Sequence, residues 1–241
     1  MNATLGKSVG IGCSNIRAVS VGIGLTLLGL LFGGIFAVLA AAPLFLMGFE
    51  FESTPVLLAL LIGSQLGFIG AGYLYVRRYR LNVHFRRIDR NDVILIAGGV
   101  IGALVFATAA FFIFDLIGVT PDAILEELVS DDPMLAIWLA ILSVFIVAPA
   151  EEYLFRGVIQ GRLRKSFSAP LAIVGASLLF ASIHFGNFVG EIGVIVAWSL
   201  VIGGVGMIFG VLYEKTRSLT VPIIAHGLYN FIIFVTGYLM L

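Results

Sequence analysis

Residues 134–160 read MLAIWLAILSVFIVAPAEEYLFRGVIQ. From Met134 to Ala150 no side chain is charged, and the whole stretch is long enough to cross a hydrocarbon layer about 30 Å thick. Glu151, Glu152 and Arg156 then follow inside the same run. An ionisable side chain deep in a bilayer costs on the order of 2.5–3.5 kcal/mol by insertion scales, so such a cluster marks a place of function or of deliberate pairing.

The rest of the chain is of the same kind. Of its 241 residues 60% are hydrophobic and only 12% charged, with a mean hydropathy of +1.12. A soluble domain carries about 25% charged residues. A soluble globular enzyme, a disordered chain and a secreted disulfide scaffold are therefore excluded. Further apolar stretches lie near residues 19–49, 55–76, 93–114, 169–185, 192–213 and 221–241. The expected fold is all-α: a polytopic transmembrane helix bundle of about seven spans. It forms a single membrane domain over 1–241, with N-terminal spans in 18–115 and a motif-bearing core in 134–237. The stretches at 19–49 and 134–160 exceed one bilayer thickness and predict tilt or a kink, with Pro43 as the kink in the first. Residues 1–16 carry only Lys7 and run into a longer apolar stretch, which is unlike a signal peptide. Cys13 is the lone cysteine, so no internal disulfide forms, and it reads as an inert small residue.

Seven alternating spans place every Lys and Arg on one side. These are Lys7 and Arg17, the loop group Arg77, Arg78, Arg80, Arg86, Arg87 and Arg90, then Arg156, Arg162, Arg164 and Lys165, and finally Lys215 and Arg217. Glu50, Glu52, Asp115, Asp122, Glu126, Glu127, Asp131, Asp132 and Glu191 fall on the other. The positive-inside rule makes the Arg-rich side, with the N-terminus, cytoplasmic. The expected localisation is an integral protein of the cell membrane. The Arg77–Arg90 loop reads as an orientation signal and an anionic-lipid contact, not as a nucleic-acid site. Thr120-Pro121 opens a short acidic helix with Ile124, Leu125 and Leu128 on one side, expected to rest on the outer leaflet. The glycines of the spans, such as Gly203, Gly204 and Gly206, read as packing devices.

Polar residues inside three spans carry the chemistry. Glu152 and Arg156 are four apart and can pair along one face. Glu151 points about 100° away and has no partner in its own helix, which leaves it free to act as a general base. His184 sits among apolar residues next to Phe185. His226 and Asn230 share a helix face and together offer hydrogen-bond donors. Counting about 1.5 Å per residue, Glu151 lies roughly 13 Å from Gln160, His226 roughly 10 Å from Leu219, and His184 roughly 22 Å from Ala169. The first two agree in depth; the third agrees if its span begins in the cytoplasm or tilts. A carboxylate base, a histidine to share a water and a His/Asn pair to hold an oxyanion are the parts that amide hydrolysis needs. Glu151, His184 and His226 are equally a zinc-type donor set, so a divalent metal such as zinc and a metal-free glutamate route both stand. No His-Glu-x-x-His or Gly-x-Ser-x-Gly segment occurs.

Glu-Glu-x-x-x-Arg at Glu151, Glu152 and Arg156, Phe-x-x-x-His at Phe180 and His184, and His-x-x-x-Asn at His226 and Asn230 resemble the three motifs of the CAAX protease and bacteriocin-processing (CPBP, or Abi) intramembrane endopeptidases. The type II CAAX prenyl endopeptidase is their best-known member. The resemblance implies a membrane protease whose site is reached from the cytoplasmic side. In it Glu151 activates water with help from His184, His226 and Asn230 hold the oxyanion, and Glu152, Arg156 and Phe180 support the site. The implied substrate is a membrane-associated peptide or protein, in one branch lipid-modified at its C-terminus. The members resembled have eight spans where seven are counted here, and a further span would fall in the N-terminal half. Two other readings are a non-catalytic membrane scaffold or immunity protein, and a small transporter using Glu151 and the histidines as a proton relay. Beyond lipid and substrate no partner is indicated, and the sequence carries no signal for oligomeric state.

Overall fold

The computed structural model describes residues 5–120 and 122–241, with side chains for 14–120 and 123–241. The readings placed on residues 1–4, on the Lys7 and Cys13 side chains and on Pro121 lie outside them. Among the described residues, seven helices are long and apolar enough to cross a membrane. We label the helices α1 (Leu5–Leu46), α2 (Thr54–Tyr79), α3 (Arg90–Leu116), α4 (Ile124–Asp131), α5 (Met134–Leu163), α6 (Ala169–Ser182), α7 (Ile192–Thr216) and α8 (Thr220–Met240). All except α4 are spans. The expected all-α bundle of seven is found, and Ser14–Leu46 of α1 alone spans about 50 Å. Pro43 falls in the last turn of α1, where it can interrupt little.

The acidic helix begins at Ile124, later than Thr120-Pro121 suggests. Before it, β1 (Asp122–Ala123) pairs antiparallel with β2 (Phe188–Val189), a bridge the sequence did not signal. Leu125 and Leu128 are half-buried and face Leu61 and Leu139 of the bundle across a small cavity.

α5 is the central helix. Every residue from Leu154 to Gln160 is buried. It is also irregular. Pro149 has no N–H to give Phe145, and its ring crowds that carbonyl. Ser143–Val147 accordingly opens into a π turn, with Ala148 N–H reaching back to Ser143 O. A second π segment covers Tyr153–Gln160. Wide turns of this type recur at functional sites. Arg156 and Gln160 form one stripe on α5 facing α7. Arg156 Nη2 donates to Gly206 O at 2.8 Å, and Gln160 Nε2 donates to Gly210 O at 3.1 Å.

Close helix approach depends on glycine at two crossings. A Cβ on Gly67 of α2 would run into the backbone of Gly33 in α1. A Cβ on Gly206 would lie 2.8 Å from Arg156 Nη2 and 3.0 Å from Phe180 Cδ1. Gly206→Val is expected to lower stability by about 1–3 kcal/mol through overpacking. Gly98→Ala, with nothing within 4 Å of the added carbon, should leave the thermal midpoint in detergent unchanged.

On the Arg-rich face the connection at residues 80–89 folds back under α8. Leu219 N donates to His84 O at 2.9 Å, and Thr220 Oγ1 donates to Arg86 O at 2.9 Å. Asp89 caps α3 by accepting from Asp92 N while Asp92 accepts from Asp89 N. That backbone hydrogen bond, with Arg86 nearby, holds the Asp89 carboxyl below the usual carboxylate range. Arg86 also pairs with Asp92 at 2.6 Å, so it is engaged in pinning the loop.

Candidate active site

Three spans bring the motif residues together. Glu151 from α5, Phe180 of α6, His184 just beyond α6, and His226 and Asn230 from α8 line one cavity of about 320 Å³. Glu152 and Arg156 lie immediately behind it, both fully buried.

His184 follows a short helix. The helix has 14 residues, about 21 Å, and ends at Ser182. Phe185–Asn187 continue as a single 3₁₀ turn. Irregular backbone at membrane depth is tolerated where it lines a cavity. His184 sits at that break and donates from Nδ1 to Phe180 O at 2.8 Å. In the neutral ring this leaves Nε2 as an acceptor.

His226 is held from two sides. Its Nδ1 donates to Glu152 Oε1 at 2.9 Å, and its Nε2 stands 3.8 Å from Glu151 Oε2. Phe209 of α7 stacks on the imidazole at 4.9 Å. Glu152 pairs in turn with Arg156 at 3.1 Å, as the four-residue spacing predicts. The contact is an ion pair more than an aligned hydrogen bond, since Arg156 Nη1 has no hydrogen-bond partner among the described residues. The Arg156 guanidinium also covers the Phe180 ring at 4.6 Å, and Phe180 packs edge-on to His184 at 4.6 Å. Phe180 thus joins both histidines to the arginine. Glu151, 5% exposed, makes no side-chain hydrogen bond among the described residues. It is the acidic group left facing the cavity.

Sequence reasoning linked His226 to Asn230 through helix spacing and missed its bond to Glu152, which crosses between helices. It also missed Phe209, Tyr229 and Trp198 in the lining; aromatic residues in apolar spans carry no signal that separates a cavity wall from core. Glu151, His184 and His226 supply donor types suited to zinc. Among the described residues, however, no three His, Cys, Asp or Glu side chains are grouped to hold a metal ion.

Residues 133–232 match the family described as type II CAAX prenyl endopeptidase Rce1-like. The matched stretch contains every site residue named above and bears out the resemblance read from the motifs. The match covers somewhat under half of the chain, including the last four of its described membrane-type helices in whole or in large part. No curated protein and no solved structure gives a match.

Proposed function

We propose that the protein is an intramembrane endopeptidase that hydrolyses peptide bonds of membrane-associated substrates. The observation that carries this reading is the gathering of Glu151, His184, His226 and Asn230 from three separate spans around one cavity. Glu151 takes a proton from water as the oxygen attacks the scissile carbonyl carbon. His184 Nε2 accepts from the same water and aims it. The Asn230 amide donates to the oxyanion. His226 is held beside it by Glu152. Collapse of the tetrahedral species breaks the C–N bond, and Glu151 returns its proton to the leaving amine. We place the Arg-rich face in the cytoplasm and the reacting groups in the half of the membrane nearer to it.

The test is a membrane-wide survey of protein termini in cells expressing the wild type or Glu151→Gln at equal abundance. Termini confined to the wild type are the expected result and name the substrates. Repeating the cleavage with a chelator separates the metal-free route from a metal-dependent one. Identical sets of termini would overturn the reading. On a substrate so identified, Asn230→Ala is expected to lower kcat by about 10²–10³-fold with little change in KM, as for loss of one oxyanion donor.

A further inference from the structure

A second cavity adjoins the first. It holds about 310 Å³, against about 320 Å³ for the cavity of Glu151, and the two share Asn187, Asn230 and Phe234. They therefore meet at the amide assigned to the oxyanion. Away from the shared residues the lining of the second cavity is almost wholly aliphatic. Leu139, Ser143 and Val147 follow one another along one side of α5, and Leu61 of α2 with Leu125 and Leu128 of α4 completes the walls. No Lys, Arg, Asp or Glu is among the described residues that line it. A charged side chain would find no partner there, and its burial would be costly.

The α4 wall is fixed at both ends. Before its first residue β1 pairs with β2, which directly follows Asn187. After its last residue Asp132 accepts from Thr54 Oγ1 of α2, and from Met134 N of α5 at 3.1 Å. Each anchor thus ties α4 to a segment that itself lines the cavity. Between the anchors Glu126 and Glu127 are exposed, while Leu125 and Leu128 are half-buried against the space. Both α4 and Leu61 lie outside residues 133–232, so the family match does not account for this wall.

We infer that the second cavity is a substrate subsite that takes an uncharged aliphatic or aromatic side chain next to the scissile bond, and that Leu125 and Leu128 set the size it accepts. The inference rests on the protease reading, in which the Asn230 amide donates to the scissile carbonyl oxygen. A carbonyl held at Asn230 brings the adjoining side chains to the junction of the two cavities. In an extended peptide successive side chains point to opposite sides, so one neighbour enters the second cavity while the next turns away from it.

The survey of termini tests this when extended to Leu128→Phe and to the double variant Leu125→Ala/Leu128→Ala, with Glu151→Gln as the blank. The readout is the residue found at each position flanking the cuts, taken as ratios among sites within one sample. Loss of folded protein lowers all sites together and leaves those ratios unchanged. In the wild type one flanking position should be enriched in Leu, Ile, Met or Phe. Leu128→Phe fills the cavity and should lower the ratio of Leu and Phe sites to Ala and Val sites by about tenfold, the scale of a methylene or two in an apolar pocket. The double variant enlarges it and should raise the share of Phe and Trp sites by a similar factor. Either shift alone supports the subsite, so one variant that fails to fold does not end the test. Unchanged ratios in both variants overturn the subsite, leave the cavity to lipid and keep the protease reading in place. Charged residues at the selected position overturn its apolar character. No termini beyond the Glu151→Gln blank would overturn the protease reading, and the subsite with it.

Discussion

Arg156→Met is expected to lower the thermal midpoint of the detergent-solubilised protein by about 10 °C, a stability effect matched in the site only by loss of its partner Glu152. The guanidinium and the Glu152 carboxylate are both fully buried and 3.1 Å apart. Removing one partner strands the other charge in a medium that cannot solvate it, at a cost of about 3–5 kcal/mol. Arg156 also supplies the bond to Gly206 O and the cation over Phe180. The double variant Glu152→Gln/Arg156→Met strands no charge and should recover most of the loss. Arg156→Lys keeps the charge but not the planar fork, and should fall between. A midpoint for Arg156→Met within about 3 °C of wild type would show that the pair is not carrying the local packing.

Much of this arrangement is legible before folding, for definite reasons. Lipid demands long apolar helices, so seven stretches of the chain declare themselves. Glu151, Glu152, Arg156, His184 and His226 stand out because a polar group in a span needs a justification. The four-residue spacing of Glu152 and Arg156 predicts their pairing, which the structure contains. The contacts between helices are what spacing cannot supply. His226 reaches across to Glu152, and nothing within residues 220–230 indicates it. The early end of α6 is hidden too, because Ile183, Phe185 and Phe188 continue the apolar pattern after the helix has stopped. Pro149 was visible in the sequence, yet its consequence, a π turn over Ser143–Val147, follows only once neighbouring helices hold α5 straight enough to widen instead of break. The packing of the connection at 80–89 under α8 belongs to the same class, a contact between segments more than a hundred residues apart.

Glu151 and Glu152 are adjacent, chemically identical and expected to fail in opposite ways. Glu151→Gln should cut kcat by at least about 10²–10⁴-fold, the range for loss of a general base, while the thermal midpoint hardly moves. Its carboxylate makes no hydrogen bond among the described residues, and His226 Nε2 stands 3.8 Å away, so little folding energy is tied to it. Glu152→Gln removes the negative partner of a fully buried Arg156 and should destabilise by about 3–5 kcal/mol. It also changes what His226 Nδ1 bonds to, because an amide can present either an oxygen or an NH₂ there. Kinetic loss in Glu152→Gln is therefore indirect and should be partly recovered in Glu152→Asp, which restores an acceptor for His226, whereas Glu151→Asp draws the base back by one methylene and should recover little. Kinetics on one substrate together with thermal midpoints for the four variants decide the assignment. If Glu152→Gln abolishes turnover at an unchanged midpoint while Glu151→Gln turns over normally, the base is Glu152.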